Sequence, residues 1–444
     1  MSKASTPVRA LGHRERLLRG MTDAAARDGY AKASVAKVIE RAGVSRATFY
    51  EHFADKEDCF LAAYREVSSR MRSRVRDAAH GSPPSCRPRA VLEVLLAELA
   101  ADPAGARLIL VEALAAGPAT RVEHERLIED IEGSIESFQG GGPGSPATYL
   151  LPATALLGGV VGTLATHVFS GEGESLPELL EGLLAWLSSY AIPADGWDRA
   201  GAVDWRELGR MAAVGPSPDP LQEDVSLLPR GPSAVPSGEA GRIRRERILA
   251  ATARVTAREG YAALTVADIV AAAHITRGAF YSHFRGKEEA FLAVQTMALQ
   301  ESIGTVAAEF FVASAWPERV WGAGRALLEY GAGHPDLAYL WTLEAHAAGA
   351  AAIQHQHHAR TAYTVFLEEG YRELPPGASL PRICSEAIAG AIFALIRHDV
   401  ARGRATRMGE LLPQGAYVIL APFLGPAKAI EFVRARSQAA AQGR

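Results

Sequence analysis

Arg46 and Arg277 each open a stretch that combines a cation, hydroxyls and two aromatic tips within one or two helical turns. The two stretches, RATFYEHFADKEDCF and RGAFYSHFRGKEEAF, lie 231 positions apart. An arginine in the first turn of a short helix can donate two hydrogen bonds to guanine O6 and N7. Tyr50 and His52, and in the second copy Tyr281 and His283, are polar tips on apolar bodies and suit phosphate oxygens on either side of a groove. Lys56 and Lys287 add positive charge at the start of the next helix, where free N–H groups also attract phosphate. The chemistry on offer is contact with double-stranded nucleic acid.

The surrounding sequence supplies the elements that would hold these residues. Arg14–Leu61 aligns with Arg245–Leu292 without a gap, and about two positions in five are identical. Leu17, Leu18, Met21 and Ala25, roughly matched by Ile248, Leu249, Thr252 and Val255, repeat at helical spacing. Gly29 and Gly260 then end that helix. Ser34 and Thr265 are positioned to cap a second helix whose core side in the first copy is Val35, Val38, Ile39 and Ala42. The turn Ala42-Gly43-Val44 follows, and Ser45 or Thr276 caps a short third helix. Val44 with Phe49, and Ile275 with Phe280, form hydrophobic staples that set the entry angle of that helix. Two helices joined by a tight turn, the second short and stapled, make a helix-turn-helix. Phe49 and Phe53 must face its core, so Ala47, Thr48 and Glu51 face outward, flanked by Tyr50 and His52.

The duplication covers whole halves of the 444 residues. ALLGGVVG from Ala155 lines up with AIAGAIFA from Ala387 at nearly the same offset. Between the halves lies a stretch with six prolines and no apolar period, Val214 to Gly241, which reads as a linker. Charge follows the same division. Residues 1–66 and 239–292 each carry a surplus of +3, while the whole chain is at −3, which suits nucleic-acid contact through the two basic segments.

These residues resemble the TetR family of transcriptional regulators, and each half resembles a complete member. TFYEHFADKEDCF and AFYSHFRGKEEAF are the stretches that carry the likeness. The resemblance implies an all-α fold in tandem: two helix-turn-helix DNA-binding bundles (1–66 and 242–295), each followed by a helical ligand-binding and dimerisation domain (67–213 and 296–444), with the linker at 214–241. It implies DNA contacts from Arg46, Ala47, Thr48, Tyr50, His52 and Lys56, and from Arg277, Gly278, Tyr281, His283 and Lys287. The caps Ser34, Ser45, Thr265 and Thr276 complete the set expected at the DNA surface. Ala279 stands where the first copy has Thr48, and His274 stands where it has the turn glycine Gly43.

The resemblance further implies a repressor released by a small apolar or aromatic ligand. Trp321, Tyr330, Tyr339, Trp341, His346 and Phe393 are the candidate ligand contacts in the second half; Phe138, Tyr149 and Phe169 are sparser ones in the first. The last two helices of each half are expected to pair, either within one chain as a covalent pseudo-dimer or between two chains. Gly158, Gly159 and Gly162 would permit close helix approach. Unequal heads would read two related, unequal half-sites.

Other classes find little support. Three scattered cysteines give no disulfide framework and suit a reducing cytoplasm. No export signal is read at the N-terminus, and Leu150–Phe169 reads as a buried interface helix, not a membrane span. P-loop, dinucleotide-binding, zincin and nucleophile-elbow motifs are all missing from the sequence, so no enzyme and no cofactor are expected. His355 and His358 share a helix face, and His346 or Glu344 are the only nearby options for a third ligand; a solvated or pocket-lining cluster is the expected reading, so no metal is expected. The rival reading is a ligand-binding or protein-interaction module in which one or both heads do not function.

Overall fold

The computed structural model describes residues 12–139, 147–193, 203–213 and 237–443. They fall into two compact units, residues 1–128 with 167–177 and residues 129–166 with 178–444. Most of the linker, 214–236, lies outside the described residues, as do the side chains of Phe138 and Tyr149.

The first unit opens with α1 (His13–Asp28), α2 (Val35–Ala42), α3 (Arg46–His52) and α4 (Lys56–Gly81). Leu17, Leu18, Met21, Val38, Phe49, Phe53 and Phe60 are buried together, as their spacing requires. Helices α5 (Arg87–Ala101) and α6 (Pro103–Arg107) follow, and α6 runs directly into a π-helical segment, Leu108–Glu112. Next come α7 (Pro118–Gln139) and α8 (Ala153–Phe169), both divided between the two units.

The second unit holds α9 (Leu180–Ser188), α10 (Trp205–Ala212) and the second repeat. A short antiparallel pair, β1 (Ala147–Tyr149) with β2 (Ala191–Pro193), is the one pair of strands among the described residues. The second head comprises α11 (Ser237–Glu259), α12 (Val266–Ala272), α13 (Arg277–Tyr281) and the start of α14 (Lys287–Phe310). Helix α11 begins inside the stretch that reads as linker. Beyond the head lie α15 (Trp316–Gly333), α16 (Pro335–Tyr339) with a second π-helical segment at Leu340–Glu344, α17 (Ala345–Ala348), α18 (Ala350–Tyr363), α19 (Ile383–Ala401), α20 (Leu412–Leu424) and α21 (Pro426–Gln442).

Within this unit, helices of the first repeat pack on helices of the second. A Cβ added to Gly158 would run into the Ala394 side chain, and one added to Gly390 would sit 2.9 Å from the Gly158 carbonyl oxygen. One added to Gly159 would strike Trp186 and lie 2.9 Å from the Ala387 carbonyl. The backbones of α8 and α19 therefore approach at a distance that only glycine permits. Beside this contact Trp186 Nε1 donates to Tyr190 Oη (3.0 Å), and Tyr190 Oη donates to the Val418 carbonyl (2.7 Å). Burial pushes the Tyr190 hydroxyl well above its ordinary pKa, so it stays a donor. Trp205 of α10 closes the group against Tyr417, with ring centroids 5.2 Å apart.

Gly158→Leu should lower unfolding stability by about 1–3 kcal/mol or more, because overpacking here displaces backbone. Gly304→Ala, in α14 with nothing within 4 Å of an added Cβ, should instead gain about 0.5–1 kcal/mol. Urea unfolding of the full chain measures both.

Candidate nucleic-acid interface

Each third helix begins at a side-chain cap. Ser45 Oγ accepts from the Thr48 N–H at 3.0 Å, and Thr276 Oγ1 accepts from the Ala279 N–H at 3.2 Å. Thr48 Oγ1 also meets Ser45 Oγ at 2.9 Å, a bond that Ala279 cannot make. The second helices are capped in the same way: Ser34 accepts from Lys37 N–H at 3.3 Å, and Thr265 forms a reciprocal capping box with Asp268. With Phe49 and Phe280 fully buried, Arg46, Ala47, Tyr50, Glu51 and His52 are exposed on α3 and Thr48 is half-buried. Arg277, Gly278 and Tyr281 are exposed along α13, with His283 half-buried just beyond its end. Tyr50 and Tyr281 are the large exposed aromatics of the heads, at 51% and 52%. The Arg46 guanidinium lies 5.9 Å from the Tyr50 ring centre, which keeps it over the outer face.

The turn before each third helix needs a left-handed residue. Gly43 supplies it with φ +60, and His274 is forced to φ +52. Histidine there carries a strain of about 1–2 kcal/mol that glycine does not. The preceding carbonyls are held from α1 and α11: Arg16 Nε donates to Ala42 O at 2.8 Å, and its Nη2 also donates to Gly43 O. Arg247 Nη2 donates to His274 O at 3.4 Å. Both arginines end an Arg-Glu-Arg run, residues 14–16 and 245–247, that the two copies share. Helix α13 is also shorter than α3. Ser282 Oγ donates to the Ala279 carbonyl (2.8 Å), and Gly278 offers less helix propensity than Ala47.

Lys56 and Lys287 stand at the starts of α4 and α14 but turn partly inward. Lys56 Nζ donates to Tyr30 O (3.0 Å) and lies 3.9 Å from the Tyr30 ring centre. Lys287 Nζ donates to Tyr261 O (3.0 Å) and Leu264 O (2.8 Å). Desolvation holds both ammonium pKa values below the ordinary lysine value, with Glu57 partly opposing it at Lys56. An ammonium has three N–H donors, so each lysine keeps at least one for a phosphate.

One pair of residues was missed by motif reading. Glu112 and Glu344, the last residues of the two π-helical segments, are 5% and 2% exposed. Glu112 Oε2 accepts the Tyr30 N–H at 2.8 Å, and Glu344 Oε2 accepts the Tyr261 N–H at 2.8 Å. Each carboxylate ties the Gly-Tyr corner of a head to the helices behind it. Burial raises the Glu112 pKa, with the Tyr30 N–H and Arg107 (3.4 Å) opposing. The signal was available: LILVEA from Leu108 and LWTLEA from Leu340 align at Leu, Glu and Ala, with an acid in an otherwise apolar run.

A cavity of about 220 Å³ lies among α14, α15, α16, α18 and α19. Of the sequence candidates, Tyr330, Trp341 and Phe393 line it, whereas Trp321, Tyr339 and His346 lie outside its wall. Trp321 packs toward Phe432 instead, and His346 is buried. Phe169 lies beneath the Arg107 guanidinium, 5.4 Å away. No group of three or more metal-ligating side chains occurs among the described residues, and no helix among them is long and apolar enough to cross a membrane.

The family model "Bacterial regulatory proteins, tetR family" matches residues 18–63 and 248–294. Those matches cover both heads. Both are TetR-family DNA-binding domains. Among curated proteins, the HTH-type transcriptional repressor AcnR of Corynebacterium diphtheriae is 33% identical over 124 residues, covering 26% of this chain and 60% of its own length. AcnR of Corynebacterium glutamicum is 41% identical over 58 residues, covering 13% of this chain and 31% of its own. The chain thus spans 60% of the length of the first of these relatives and 31% of the second, less than two thirds of either. Similar solved structures include the fatty acid degradation regulator FadR from Bacillus halodurans (17% identity, TM-score 0.37, 40% of this chain and 94% of that one). A transcriptional regulator from Rhodococcus sp. Rha1 has 24% identity and a TM-score of 0.34, over 40% of this chain and 99% of that one.

His274→Gly should stabilise the second TetR-type head by about 1 kcal/mol by relieving the left-handed strain, read as a later unfolding transition. Glu344→Ala should cost about 1–3 kcal/mol by orphaning the Tyr261 N–H. Glu344→Gln, which keeps an acceptor oxygen, should cost less in the same unfolding experiment.

Proposed function

We propose that this chain is a sequence-specific DNA-binding transcriptional regulator, a repressor that carries both halves of a TetR-type dimer in one polypeptide and leaves its operator when a small molecule binds. The observation that carries the reading is the pair of exposed third helices, each with Arg in its first turn, Tyr on its outer face and His at or just beyond its end, on two side-chain-capped TetR-type heads. Close packing of α8 and α9 on α19 and α20 supports intramolecular pairing, because those helices occupy the places where two subunits of such a dimer would meet. The roughly 30 Å typical reach of a linker of this length is compatible with such pairing. Covalent linkage raises the partner's effective concentration to about the millimolar range, so pairing would survive dilution. The named relatives are transcriptional repressors, which supports the sign of regulation. The apolar cavity beside Trp341 supports a ligand in the second half.

The two heads would read unequal half-sites. Ala47, Thr48 and Glu51 in the first face the groove where Gly278, Ala279 and Ser282 do in the second. The shorter α13 and the left-handed His274 also favour a weaker second head.

In vitro selection of random duplex DNA by the full chain should enrich two related but unequal half-sites at fixed spacing. Arg46→Ala and Arg277→Ala should each cost about 1–3 kcal/mol in binding and relax one position only, with the larger loss for Arg46→Ala. A perfect palindrome would instead mean two chains presenting identical heads. No enrichment by folded protein would leave the interaction-module reading in place of the DNA reader.

A further inference from the structure

The cavity wall is almost wholly apolar, and its polar groups are mostly spent inside the protein. Gln356 Nε2 donates to Trp341 O (2.6 Å), Tyr330 Oη donates to Glu301 (2.9 Å), Tyr363 Oη pairs with Ser302 Oγ (2.7 Å), and Thr342 Oγ1 donates to Ala338 O (2.7 Å). Arg360 on α18 is the exception. It lines the cavity and keeps part of its surface accessible. Among the described residues its guanidinium makes one hydrogen bond, from Nη2 to Thr166 Oγ1 at 2.9 Å. Thr166 in turn donates to the Gly162 carbonyl at 2.9 Å. The Phe393 ring centre lies 5.6 Å from the guanidinium carbon. No acidic side chain forms an ion pair with Arg360 among the described residues; Glu386, whose field raises its pKa, is exposed on α19.

A guanidinium has five N–H donors in a planar fork that matches a carboxylate. Desolvation lowers the Arg360 pKa to about 10, still well above neutrality, so the group stays charged in its apolar surroundings. A partly desolvated cation without a paired anion is costly, and an incoming carboxylate would offset that cost while accepting two parallel hydrogen bonds.

We propose that the cavity takes a monoanionic organic acid, its apolar body against Trp341, Tyr330 and Phe393 and its carboxylate on Arg360. The inference rests on reading the cavity as the ligand site and adds the chemical class. It also gives the ligand a direct line to the packing between repeats, because the side chain that would grip the acid already touches α8 through Thr166.

The test is calorimetric titration of the full chain with matched pairs: octanoate and octanol, decanoate and decanol, phenylbutyrate and phenylbutanol. At least one acid should bind about tenfold or more tightly than its alcohol, and Arg360→Gln should abolish that preference while the alcohol's affinity changes little. Arg360→Lys, which keeps the charge, should retain part of it. Thr166→Val removes the bond to α8 but leaves the cation, so the preference should survive there; this separates recognition of the acid from a structural effect. Alcohols binding as well as their acids, or an acid preference unchanged in Arg360→Gln, would overturn the proposal and leave the cavity as a neutral-ligand site. Binding by neither class would overturn the ligand-site reading itself.

Discussion

Backbone-to-backbone contact at Gly158, Gly159 and Gly390 is the constraint on which the larger unit depends. Helices that approach this closely have no room for side chains between them, so their association rests on dispersion contacts and on polar groups placed beside the seam. The Trp186–Tyr190–Val418 chain is such a group: two buried hydroxyl and indole donors are both satisfied, and they fix the register of α9 on α20. Trp205 then lays α10 over the same place. The seam also determines what lies next to it. Arg360 can reach Thr166 only because α8 comes so near, and that places a cation between the cavity and the first repeat's helix.

The heads are organised on a different principle. Their inner faces use the same set of backbone ties, and their outer faces agree only in part. Both heads bury one phenylalanine of the third helix and another just after it, hold the carbonyls before the third helix with an arginine of the first, bond the lysine of the fourth to the Gly-Tyr corner, and tie that corner to a buried glutamate. Each of these partners satisfies a backbone group that would otherwise be orphaned in an apolar setting. Of the outward positions, Arg46, Tyr50 and His52 recur as Arg277, Tyr281 and His283, whereas three others differ: Ala47 against Gly278, Thr48 against Ala279, Glu51 against Ser282. His274 is the place where the second head departs internally, and it does so at the cost of backbone strain.

Much of this was legible in the residues alone. The head helices, their caps, the staples and the outward set follow from local rules, because a capped and stapled helix of seven residues is determined by neighbours within one or two turns. The close-packing glycines were legible too, since a run such as LLGGVVG has few other uses in a helix. What only the tertiary structure decided are the contacts between residues far apart in sequence. No local pattern says that Glu112 and Glu344 would reach back more than eighty positions to a backbone N–H. Nor does one say that Trp321 and Tyr339 would leave the cavity wall while Arg360 joined it. Helical spacing sets which side of a helix is apolar but not which other helix covers it, and side chains as long as Arg and Glu take their partners from wherever packing leaves a charge or a dipole unmatched.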